Sequence, residues 1–414
     1  MRNLLFVTPK VLMSTPAAEW RRSVGPDAIL FTGADTDDAR QRIEAHVDGA
    51  FSRVHTFCNY EHNDLPEKRA HEIHAATPLR NVVSLSEVDV LRTARIRERC
   101  GIPGHSEANA WIFRDKLLMK ERARAAGLGT PRFARVESAF DLLHFVRANG
   151  LPVIVRPISG RGSAQVGVLR TDEELEAYLA SGAIAATDFR PQLFVETFCD
   201  GPMFRIDGLV LRGEPAFMQV AKYINTTLDF MKGQAVGTYS LPADDAERLA
   251  VEEFVTHLVG RALPSAPTMM FHAQLLQDRH EGLMLCEIAA RIGGGAINDE
   301  IIAATGVDLK MEYVRCCCLP GYAEAWRPTL RERLAARILL PPQPAVLEAI
   351  PKDCDIPWVV KYTAYGQPGR AYNGPAMTNA EVASFVYHAD TVGEVTSRWV
   401  KLVDWHAQRT IWRS

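Results

Sequence analysis

The stretch 268–300 constrains the fold of this chain more than any other, because it joins a hairpin pattern to a glycine-rich loop. Apolar and polar residues alternate in 271–276 and again in 283–288, and the polar run 277–282 separates the two segments. This pattern predicts two antiparallel strands connected by a turn. If the turn pairs Leu276 with Leu283, the polar side chains of both strands share one face, and a register shift of two residues preserves that arrangement.

The shared face carries side chains that bind ions: His272, Gln274 and Glu287, with Arg291 added if the second strand continues. In this register His272 lies opposite Glu287. An amide oxygen, a carboxylate and a guanidinium beside the glycines 293–295 suit a hard divalent cation and a phosphate. Considered alone, the stretch is explained equally well by a half-exposed hairpin with an ordinary ion pair.

Length and composition limit the classes of protein to which this chain can belong. A chain of 414 residues is long enough for several domains with substantial cores. The net charge of −3 argues against broad binding of nucleic acid or of an anionic membrane. No apolar run approaches the ~18 residues of a membrane span, and the N-terminal LLFV is too short for a signal peptide. The cytoplasm is therefore the expected location.

The eight cysteines contain no CxxC pair, which argues against a zinc site. Residues 316–318 are three consecutive cysteines in an apolar context. They are predicted to be small buried side chains in a protein of a reducing compartment.

The first ~105 residues alternate between strand and helix patterns, which predicts a small α/β domain with a mainly parallel sheet. The predicted strands are 3–7, 28–32 and 82–85, and the predicted helices are 36–46 and 87–100, the second capped by Ser86. No GxGxxG follows the first strand, so a dinucleotide site is not indicated. The arginines at 92, 95, 97 and 99 are interpreted as a solvated helix face rather than a nucleic-acid patch, because no aromatic platform accompanies them.

Further elements follow from the same patterns. Predicted helices are 107–126, 138–148, 172–180, 243–263, 309–318, 380–390 and 391–402; predicted strands are 152–156, 192–196, 204–211 and 215–223. The loop 157–167 is rich in Gly and Ser and lies between two strands. Such a loop can direct backbone N–H groups at phosphate oxygens, although hairpin loops use the same residues.

Six segments, in this order, resemble the ATP-grasp superfamily over roughly residues 110–310. They are RDKLLMK (114–120), GTP (129–131), LPVIVRP (151–157), GSAQVGV (162–168), FVETFCDG (194–201) and CEIAARIGGG (286–295). The segments VVSLSEVDVL (82–91) and RERCGIPG (97–104) look like the domain that precedes this fold in carboxylate–amine ligases of the L-amino-acid ligase type.

The resemblance implies an α/β and α+β architecture: an N-terminal Rossmann-like pre-ATP-grasp domain, then an ATP-grasp fold with a mobile lid subdomain. The implied divisions are 1–108 for the first domain, 109–200 for the N-terminal part of the ATP-grasp fold with its lid at about 130–195, 201–320 for the catalytic part, and 321–414 for an α+β region that completes the catalytic domain.

The resemblance also implies a reaction. The γ-phosphate of ATP is transferred to a small carboxylate, an amino acid in ligases of this type, and an amine attacks the acyl phosphate with release of ADP and phosphate. The expected partners are these small molecules, with Mg²⁺ (or Mn²⁺) as the metal and a homodimer as the base-rate assembly. Two alternatives stay open: a purine-type or bicarbonate-using ATP-grasp enzyme, and a degenerate nucleotide-binding regulator.

The residue roles implied for the nucleotide rest on matching positions. Lys116 and Arg156 match the two cationic residues that contact the phosphates, and Gly162 and Ser163 match the loop that covers the phosphates. Glu196 matches the residue at the adenine amino group, and the backbone of Thr197 and Phe198 matches the hinge that contacts the adenine ring. Met203 stands where the family has a ribose-binding glutamate.

The remaining roles belong to the hairpin and its loop. Gln274 and Glu287 are the implied magnesium ligands, and Ala289 stands where many members have an asparagine ligand. Arg291 is implied in catalysis together with Lys116 and Arg156, and the implied substrate contacts are His272, Arg291, Gly294 and Gly295. Specificity is expected from the loops around 222–240, where Tyr223, Asn225, Lys232 and Tyr239 are polar candidates.

Overall fold

A computed structural model of the chain describes residues 2–160, 162–163, 165–184 and 192–413. Its strands are β1 (Arg2–Phe6), β2 (Ile29–Gly33), β3 (Arg53–Phe57), β4 (Leu79–Ser84), β5 (Phe133–Val136), β6 (Val153–Pro157), β7 (Gly167–Leu169), β8 (Leu193–Thr197), β9 (Met203–Leu211), β10 (Glu214–Tyr223), β11 (Val236–Ser240), β12 (Thr268–Asp278), β13 (Gly282–Ala289), β14 (Ala335–Leu340), β15 (Val346–Ala349), β16 (Val359–Ala364), β17 (Ala383–His388) and β18 (Ile411–Arg413).

Its helices are α1 (Pro9–Met13), α2 (Ala17–Val24), α3 (Asp37–Val47), α4 (Leu65–Ala76), α5 (Val90–Cys100), α6 (Glu107–Ile112), α7 (Lys116–Ala125), α8 (Ala139–Asn149), α9 (Asp172–Ala180), α10 (Thr227–Met231), α11 (Ala246–His257), α12 (Ile297–Thr305), α13 (Leu309–Cys318), α14 (Tyr322–Ala325) and α15 (Val392–Arg409).

The N-terminal sheet is parallel, in the order β3-β2-β1-β4, which confirms the predicted α/β organisation. The prediction missed β3 and α4, whose sequences are rich in charged and histidine residues. The predicted cap of the following helix is wrong. The Ser86 hydroxyl lies 3.0 Å from that of Thr8, Glu87–Asp89 forms a 3-10 turn, and α5 begins after it.

The interpretation of the α5 arginines as a solvated face holds for Arg99, which is exposed, and is wrong for the other three. Arg92 is buried and lies 3.2 Å from the Asp89 carboxylate. Arg95 binds the carboxylate of Glu67, and the Nε of Arg97 donates to a carbonyl of β4 at 2.8 Å. These guanidinium groups hold α5 against its own domain, because a partly buried charge is stable only when it is paired or hydrogen-bonded.

A four-stranded antiparallel sheet, β5-β8-β6-β7, forms the segment predicted to be the lid. Helices α8 and α9 cover it, and its small core contains Leu142, Phe145, Val153 and Val195. The predicted mobility of this segment stays a prediction, and residues 161, 164 and 185–191 of it lie outside the described residues.

The largest sheet has eight antiparallel strands in the order β13-β12-β9-β10-β11-β14-β17-β16. Strands from the region after residue 330 therefore extend the sheet that carries the hairpin 268–289. The predicted helix at 380–390 is wrong, since β17 occupies most of it. Phe385 and Tyr387 are fully buried there, and the strand pairs with β14 on one side and β16 on the other. The prediction of a helix after it is confirmed by α15.

The helix predicted over 107–126 is two helices, because the chain breaks at 113–115. The Asp115 side chain accepts hydrogen bonds from the amides of Leu117 and Leu118 and so forms the N-cap of α7. This N-cap places Lys116 in the first turn of α7, one helical turn before Lys120. Both lysines consequently lie on one face.

Two cores hold the large sheet in place. On one face it packs through α13 against the parallel-sheet domain, and on the other it packs against α7 and α11. Helix α13 has the predicted bounds, and all eight cysteines are free thiols. Its last carbonyls, at Cys317 and Cys318, accept hydrogen bonds from Asn81 and Asn3. In the described part of the chain, no helix combines the length and apolarity needed to cross a membrane.

Candidate functional site

The hairpin β12–β13 forms as predicted, but its register differs. At the turn Leu276 pairs with Met284, and a bulge between Gln274 and Leu275 then shifts the pairing again, so that Gln274 lies opposite Glu287. The predicted pairs Leu276–Leu283 and His272–Glu287 are therefore wrong. The total shift beyond the bulge is two residues, so His272, Gln274 and Glu287 still share one face, as the parity argument requires.

Five charged side chains converge where the lid sheet meets this hairpin. Lys116 and Lys120 come from α7, Arg156 from β6, Glu196 from β8 and Glu287 from β13. We call this set the cationic cluster, because it holds three positive charges against two negative ones.

Distances within the cationic cluster are those of ion pairs. Lys116 Nζ lies 3.3 Å from Glu287 Oε2, and Lys120 Nζ lies 3.0 Å from Glu196 Oε2. Arg156 spans both carboxylates, with Nη2 at 2.6 Å from Glu196 Oε1 and Nη1 at 3.9 Å from Glu287 Oε2. One guanidinium thus links the two acidic groups, and the cluster as a whole has one positive charge in excess.

Lys120 is a member of this cluster that the sequence analysis left out. It is fully buried, and its Nζ donates to the carbonyls of Leu285 (2.7 Å) and Cys286 (2.9 Å) on β13. Burial lowers the pKa of its ammonium group, an effect that the neighbouring Glu196 opposes. The available signal was its spacing, four residues after Lys116 on the same helix face.

Glu287 is the accessible carboxylate of the cluster, with 28% of its side chain exposed. Burial favours its neutral form, but the charges of Lys116 and Arg156 outweigh this and lower its pKa to about 2. It is therefore ionised at neutral pH and can bind a cation.

Gln274 presents the second oxygen donor beside Glu287. Its Nε2 donates to the Tyr223 hydroxyl at 2.8 Å, which fixes the amide and leaves Oε1 on the other side. Among the residues that the structure describes, no three His, Cys, Asp or Glu side chains gather as they would around a resident metal. The two donors of the hairpin nevertheless fit a hard cation that a phosphate group helps to coordinate.

The residues predicted to hold adenine and ribose lie at the lid edge. The Glu196 carboxylate is occupied by Lys120 and Arg156. The amide of Thr197 donates to the Arg132 carbonyl (3.0 Å) and that of Phe198 to the Pro152 carbonyl (3.2 Å), so neither amide is a free donor for a ring. Met203 is buried in an apolar cluster with Tyr223, Phe230 and Cys286. The adenine and ribose contacts stay predictions.

The loop predicted to cover phosphates lies against the rest of the molecule. The Gly160 carbonyl accepts from Lys116 Nζ at 2.7 Å, and the Gly162 carbonyl accepts from the amide of Thr378 at 2.9 Å. The Ser163 hydroxyl lies 3.2 Å from that of Thr227. The described part of this loop is thereby held next to the cationic cluster.

Arg291 lies beside the cluster and pairs with a residue of the N-terminal domain. Its Nε binds Glu87, which also binds Arg114, and its Nη1 donates to the Ile292 carbonyl at 2.8 Å. Burial raises the pKa of Glu87, but both guanidinium groups outweigh this and lower it to about 2. The sequence analysis did not select Glu87; its place directly after β4, at the carboxyl edge of a parallel sheet, is the position where α/β folds bind ligands.

A cavity of about 560 Å³ opens next to Glu87, between the N-terminal domain and the lid loop. Its polar lining includes Glu61, His62, Glu87, Arg114, Ser159 and Gln165. A cavity of this size and polarity can accept a small charged molecule.

Beneath the hairpin lies a second set of charges, Arg205, Asp207, Glu300 and Arg337, which we call the core network. Arg205 binds both Asp207 (2.6 Å) and Glu300, and Arg337 Nε lies 3.3 Å from Glu300. All four residues are at most 3% exposed. The core network has two positive and two negative charges, so it is balanced within itself.

The core network holds the glycine-rich loop at both ends. The Asp207 carboxylate accepts from the amide of Gly293 at 3.0 Å and from His272 Nδ1 at 2.9 Å, while Arg337 donates to the Gly295 carbonyl. The Gly293 amide is thus not free for a substrate. Gly294 is exposed, whereas Gly295 has a positive φ of 64° and lies so close to Leu339 that a Cβ would clash at 2.6 Å.

Of the polar candidates for specificity, only Tyr223 touches a predicted site residue in the described contacts. Asn225 bonds the Ala235 carbonyl and the Gly237 amide within its own loop, and Lys232 pairs with Asp229. Tyr239 lies half-buried on β11, cross-strand from Lys222.

This chain is similar to known proteins both in sequence and in fold. Residues 115–214 match the family model of the carbamoyl-phosphate synthase L chain, ATP binding domain. The whole chain superposes on an L-amino acid ligase from Bacillus licheniformis with a TM-score of 0.77 and 19% identity, covering 100% of this chain and 99% of that one. The chain has the ATP-grasp fold.

Two curated relatives resemble this chain over part of their length. An L-arginine-specific L-amino acid ligase from Bacillus subtilis is 27% identical over 234 residues, which are 55% of each chain. An alanine–anticapsin ligase from the same organism is 25% identical over 290 residues, or 64% of this chain and 60% of that one. The chain therefore matches little more than half the length of these relatives.

Proposed function

We propose that this protein is an ATP-dependent ligase that joins the carboxylate of a small substrate, an amino acid, to an amine through an acyl phosphate, with ADP and phosphate as products. The observation that carries the proposal is the cationic cluster, whose positive excess lies beside Gln274 and the accessible carboxylate Glu287. The names of two relatives, which specify arginine and alanine, favour amino acids as substrates.

The negative charge of the ATP phosphates would neutralise the positive excess of the cationic cluster. Lys116 and Arg156 both pair with the accessible Glu287, and in the loop Gly162 and Ser163 follow Gly160, whose carbonyl accepts a hydrogen bond from Lys116. Backbone amides of such a loop bind phosphate oxygens and exclude water. Exclusion of water matters because an acyl phosphate hydrolyses readily, so a loop that stays closed protects the intermediate.

Mg²⁺, with Mn²⁺ as an alternative, fits the two oxygen donors Gln274 and Glu287. When bound, it neutralises phosphate charge and so makes the phosphorus more open to attack by a carboxylate. The residues of the chain do the rest of the positioning. Glu287 is held in its ionised form by Lys116 and Arg156, and Gln274 is fixed by Tyr223.

Arg291 would stabilise the negative charge that develops when the carboxylate is phosphorylated and when the acyl phosphate is attacked. Its partner Glu87 lines the 560 Å³ cavity, which would admit the substrates. Exposed Gly294 and the adjoining Gly295 would let the substrate approach the backbone closely.

The cellular setting is part of the proposal. The eight free thiols support a reducing compartment such as the cytoplasm. A homodimer is proposed as the assembly because closed two-fold dimers are the commonest oligomers.

A screen of phosphate release tests the proposal. Purified protein, ATP and Mg²⁺ are mixed with pairs of amino acids, with bicarbonate and with ribosylamines, and the nucleotide product is identified. We expect phosphate and ADP to form with a pair of amino acids. Formation of AMP and pyrophosphate would contradict the mechanism.

The same screen separates the alternatives. Phosphate release that needs bicarbonate would favour a carboxylase. Nucleotide binding in calorimetry, without phosphate release for any substrate pair, would show a nucleotide-binding regulator.

A further inference from the structure

A turn in the C-terminal region contacts the loop that is proposed to cover the phosphates of ATP. The Ala380 amide donates to the Met377 carbonyl at 3.0 Å, so residues 377–380 form this turn. The Thr378 amide donates instead to the Gly162 carbonyl at 2.9 Å. A Cβ built on Gly162 would lie 3.1 Å from the Cβ of Met377. The turn is therefore packed directly against the backbone at Gly162.

Asn379, the other central residue of this turn, lies between two proposed parts of the active site. A Cβ built on Gly162 would lie 3.6 Å from its Oδ1 atom, and one built on Gly294 would lie 3.7 Å from its Nδ2 atom. The proposed function assigns phosphate to the loop of Gly162 and the substrate to Gly294. The Asn379 side chain therefore lies where the transferred phosphate and the substrate carboxylate would meet.

The Asn379 amide is available to a ligand. The residue is exposed, as is Gly294 opposite it, and its side chain forms no hydrogen bond with any residue that the structure describes. A primary amide has two N–H donors and an acceptor oxygen. It can therefore donate a hydrogen bond to an oxygen of a carboxylate or of a phosphate.

The turn is fixed in place by the residues that follow it. Glu381 has a fully buried side chain, and its Oε1 lies 3.2 Å from the Nζ of Lys10 in α1. The Val382 amide then donates to the Leu340 carbonyl of β14 at 2.9 Å. These contacts join the turn to the N-terminal domain and to the large sheet, so the turn has the support that a functional side chain needs.

We propose that Asn379 is a catalytic residue that binds the substrate carboxylate, and the acyl phosphate formed from it, between Gly162 and Gly294. This inference rests on the proposed function, which assigns phosphate and substrate to these two glycines. The contact would be made by Nδ2, the atom that faces Gly294. It would come from the region 321–414, to which the sequence analysis assigned no site residue.

The contact would act in both half-reactions. In the first, a carboxylate oxygen forms a bond to the γ-phosphorus while the bond from that phosphorus to the ADP oxygen breaks. In the second, an uncharged amine forms a bond to the acyl carbon, the bond from that carbon to the phosphate oxygen breaks, and a nitrogen proton leaves with the phosphate. Asn379 takes up no proton in either step. It donates a hydrogen bond to the oxygen on which negative charge develops.

The test uses hydroxylamine, which traps an acyl phosphate as a hydroxamate. Wild type, Asn379→Ala and Asn379→Asp are each given ATP, Mg²⁺ and the amino acid that yields the most hydroxamate with wild type. Both variants lack the N–H donor at neutral pH, and the second keeps the shape of the side chain. We expect the kcat of hydroxamate formation to fall by about 10²–10³-fold in both. Asn373→Ala, at an exposed position of the same region, is the matched control.

Binding of ADP with Mg²⁺, measured by calorimetry, distinguishes a substrate contact from a support for the loop of Gly162. The affinity should be the same in Asn379→Ala and wild type, because Nδ2 faces the substrate side and ADP lacks the transferred phosphate. A parallel loss of ADP affinity and of hydroxamate formation would overturn the inference, since it would show that the side chain holds the loop rather than the substrate.

The outcomes separate this inference from the proposed function. Hydroxamate formation like that of wild type in either variant would overturn the role of Asn379 and leave the proposed function intact. If Asn379→Ala does not fold, Asn379→Asp decides by the same measurement. Absence of hydroxamate from wild type with every amino acid would instead overturn the proposed function, and this inference with it.

Discussion

The cationic cluster and the core network both adjoin the hairpin β12–β13 and are both built from paired charged side chains, but their net charges differ. The core network is fully buried and balanced, with Arg205 and Arg337 against Asp207 and Glu300. The cationic cluster has a positive excess, and its carboxylate Glu287 is 28% exposed. Two sets of ion pairs in one molecule can therefore serve different purposes.

The difference in net charge and exposure indicates which of the two sets binds a ligand. A buried charge without a partner is costly, so a network that is complete in the free protein stabilises or positions the fold. A cluster with uncompensated charge at an open junction gains its missing partner when an anion binds. On this reasoning the core network is the support and the cationic cluster is the binding site.

The largest expected effect comes from removing the accessible carboxylate. Glu287→Ala should lower the turnover of amino-acid substrates by about 10³-fold or more, since cation binding and phosphate charge depend on it. Arg291→Ala should have a similar effect. Phosphate release under saturating substrates measures both. Glu281→Ala, in the exposed turn of the hairpin, is the control. A wild-type rate of phosphate release in Glu287→Ala or Arg291→Ala would contradict the role assigned to that residue.

A second prediction contrasts the two sets in stability. Arg205→Met should lower the free energy of unfolding by about 3–5 kcal/mol, because Asp207 and Glu300 would be left as buried carboxylates without their shared partner. Arg156→Met should cost clearly less, because it leaves two lysines for the two carboxylates of the cationic cluster, whereas Arg205→Met leaves Arg337 as the one guanidinium for two buried carboxylates. Denaturant unfolding followed by circular dichroism compares the two variants. Equal losses would show that the two sets do not differ in the way described.

A smaller effect is expected in the dependence of stability on pH. Glu87 has an ordinary pKa of 4.5, and Arg291 and Arg114 lower it to about 2 in the folded protein against the opposing effect of burial. Between these values the unfolded state binds more protons, so this contribution is complete above pH 4.5 and is lost as the pH falls toward 2.

Glu87→Gln tests that contribution. The variant should show a weaker fall in the free energy of unfolding across this pH range than wild type does, because it has no carboxyl to protonate. Glu44→Gln, on the exposed side of α3, is the control. Parallel curves for Glu87→Gln and wild type would contradict the proposed link between Glu87 and the two arginines.

Sequence patterns predicted the hairpin but not its register. Alternation of apolar and polar residues marks both strands, and parity placed Gln274 and Glu287 on one face. The bulge that brings these two residues directly opposite each other has no signal in the alternation of either strand. The error at 380–390 has a similar cause, because β17 is a strand through its two neighbours in the sheet.

The members of the site that the sequence missed act through distant contacts. Lys120 reaches carbonyls of β13, which lie 165 and 166 residues away, and Glu87 binds Arg291 across 204 residues. No local pattern encodes such contacts. The motifs identified Lys116, Arg156 and Glu287, whereas the fold was needed to show which charges balance one another.

The phosphates of a bound nucleotide are proposed to supply the negative charge that the cationic cluster lacks. Calorimetric titration with ADP and Mg²⁺ tests it most directly, in wild type, Arg156→Met and the control Arg135→Met, which lies on the exposed side of the lid. We predict that wild type and the control bind the nucleotide alike, and that Arg156→Met binds it at least about tenfold more weakly, the loss of one charge-assisted contact. Equal binding by Arg156→Met and wild type, or no binding by wild type, would contradict the claim.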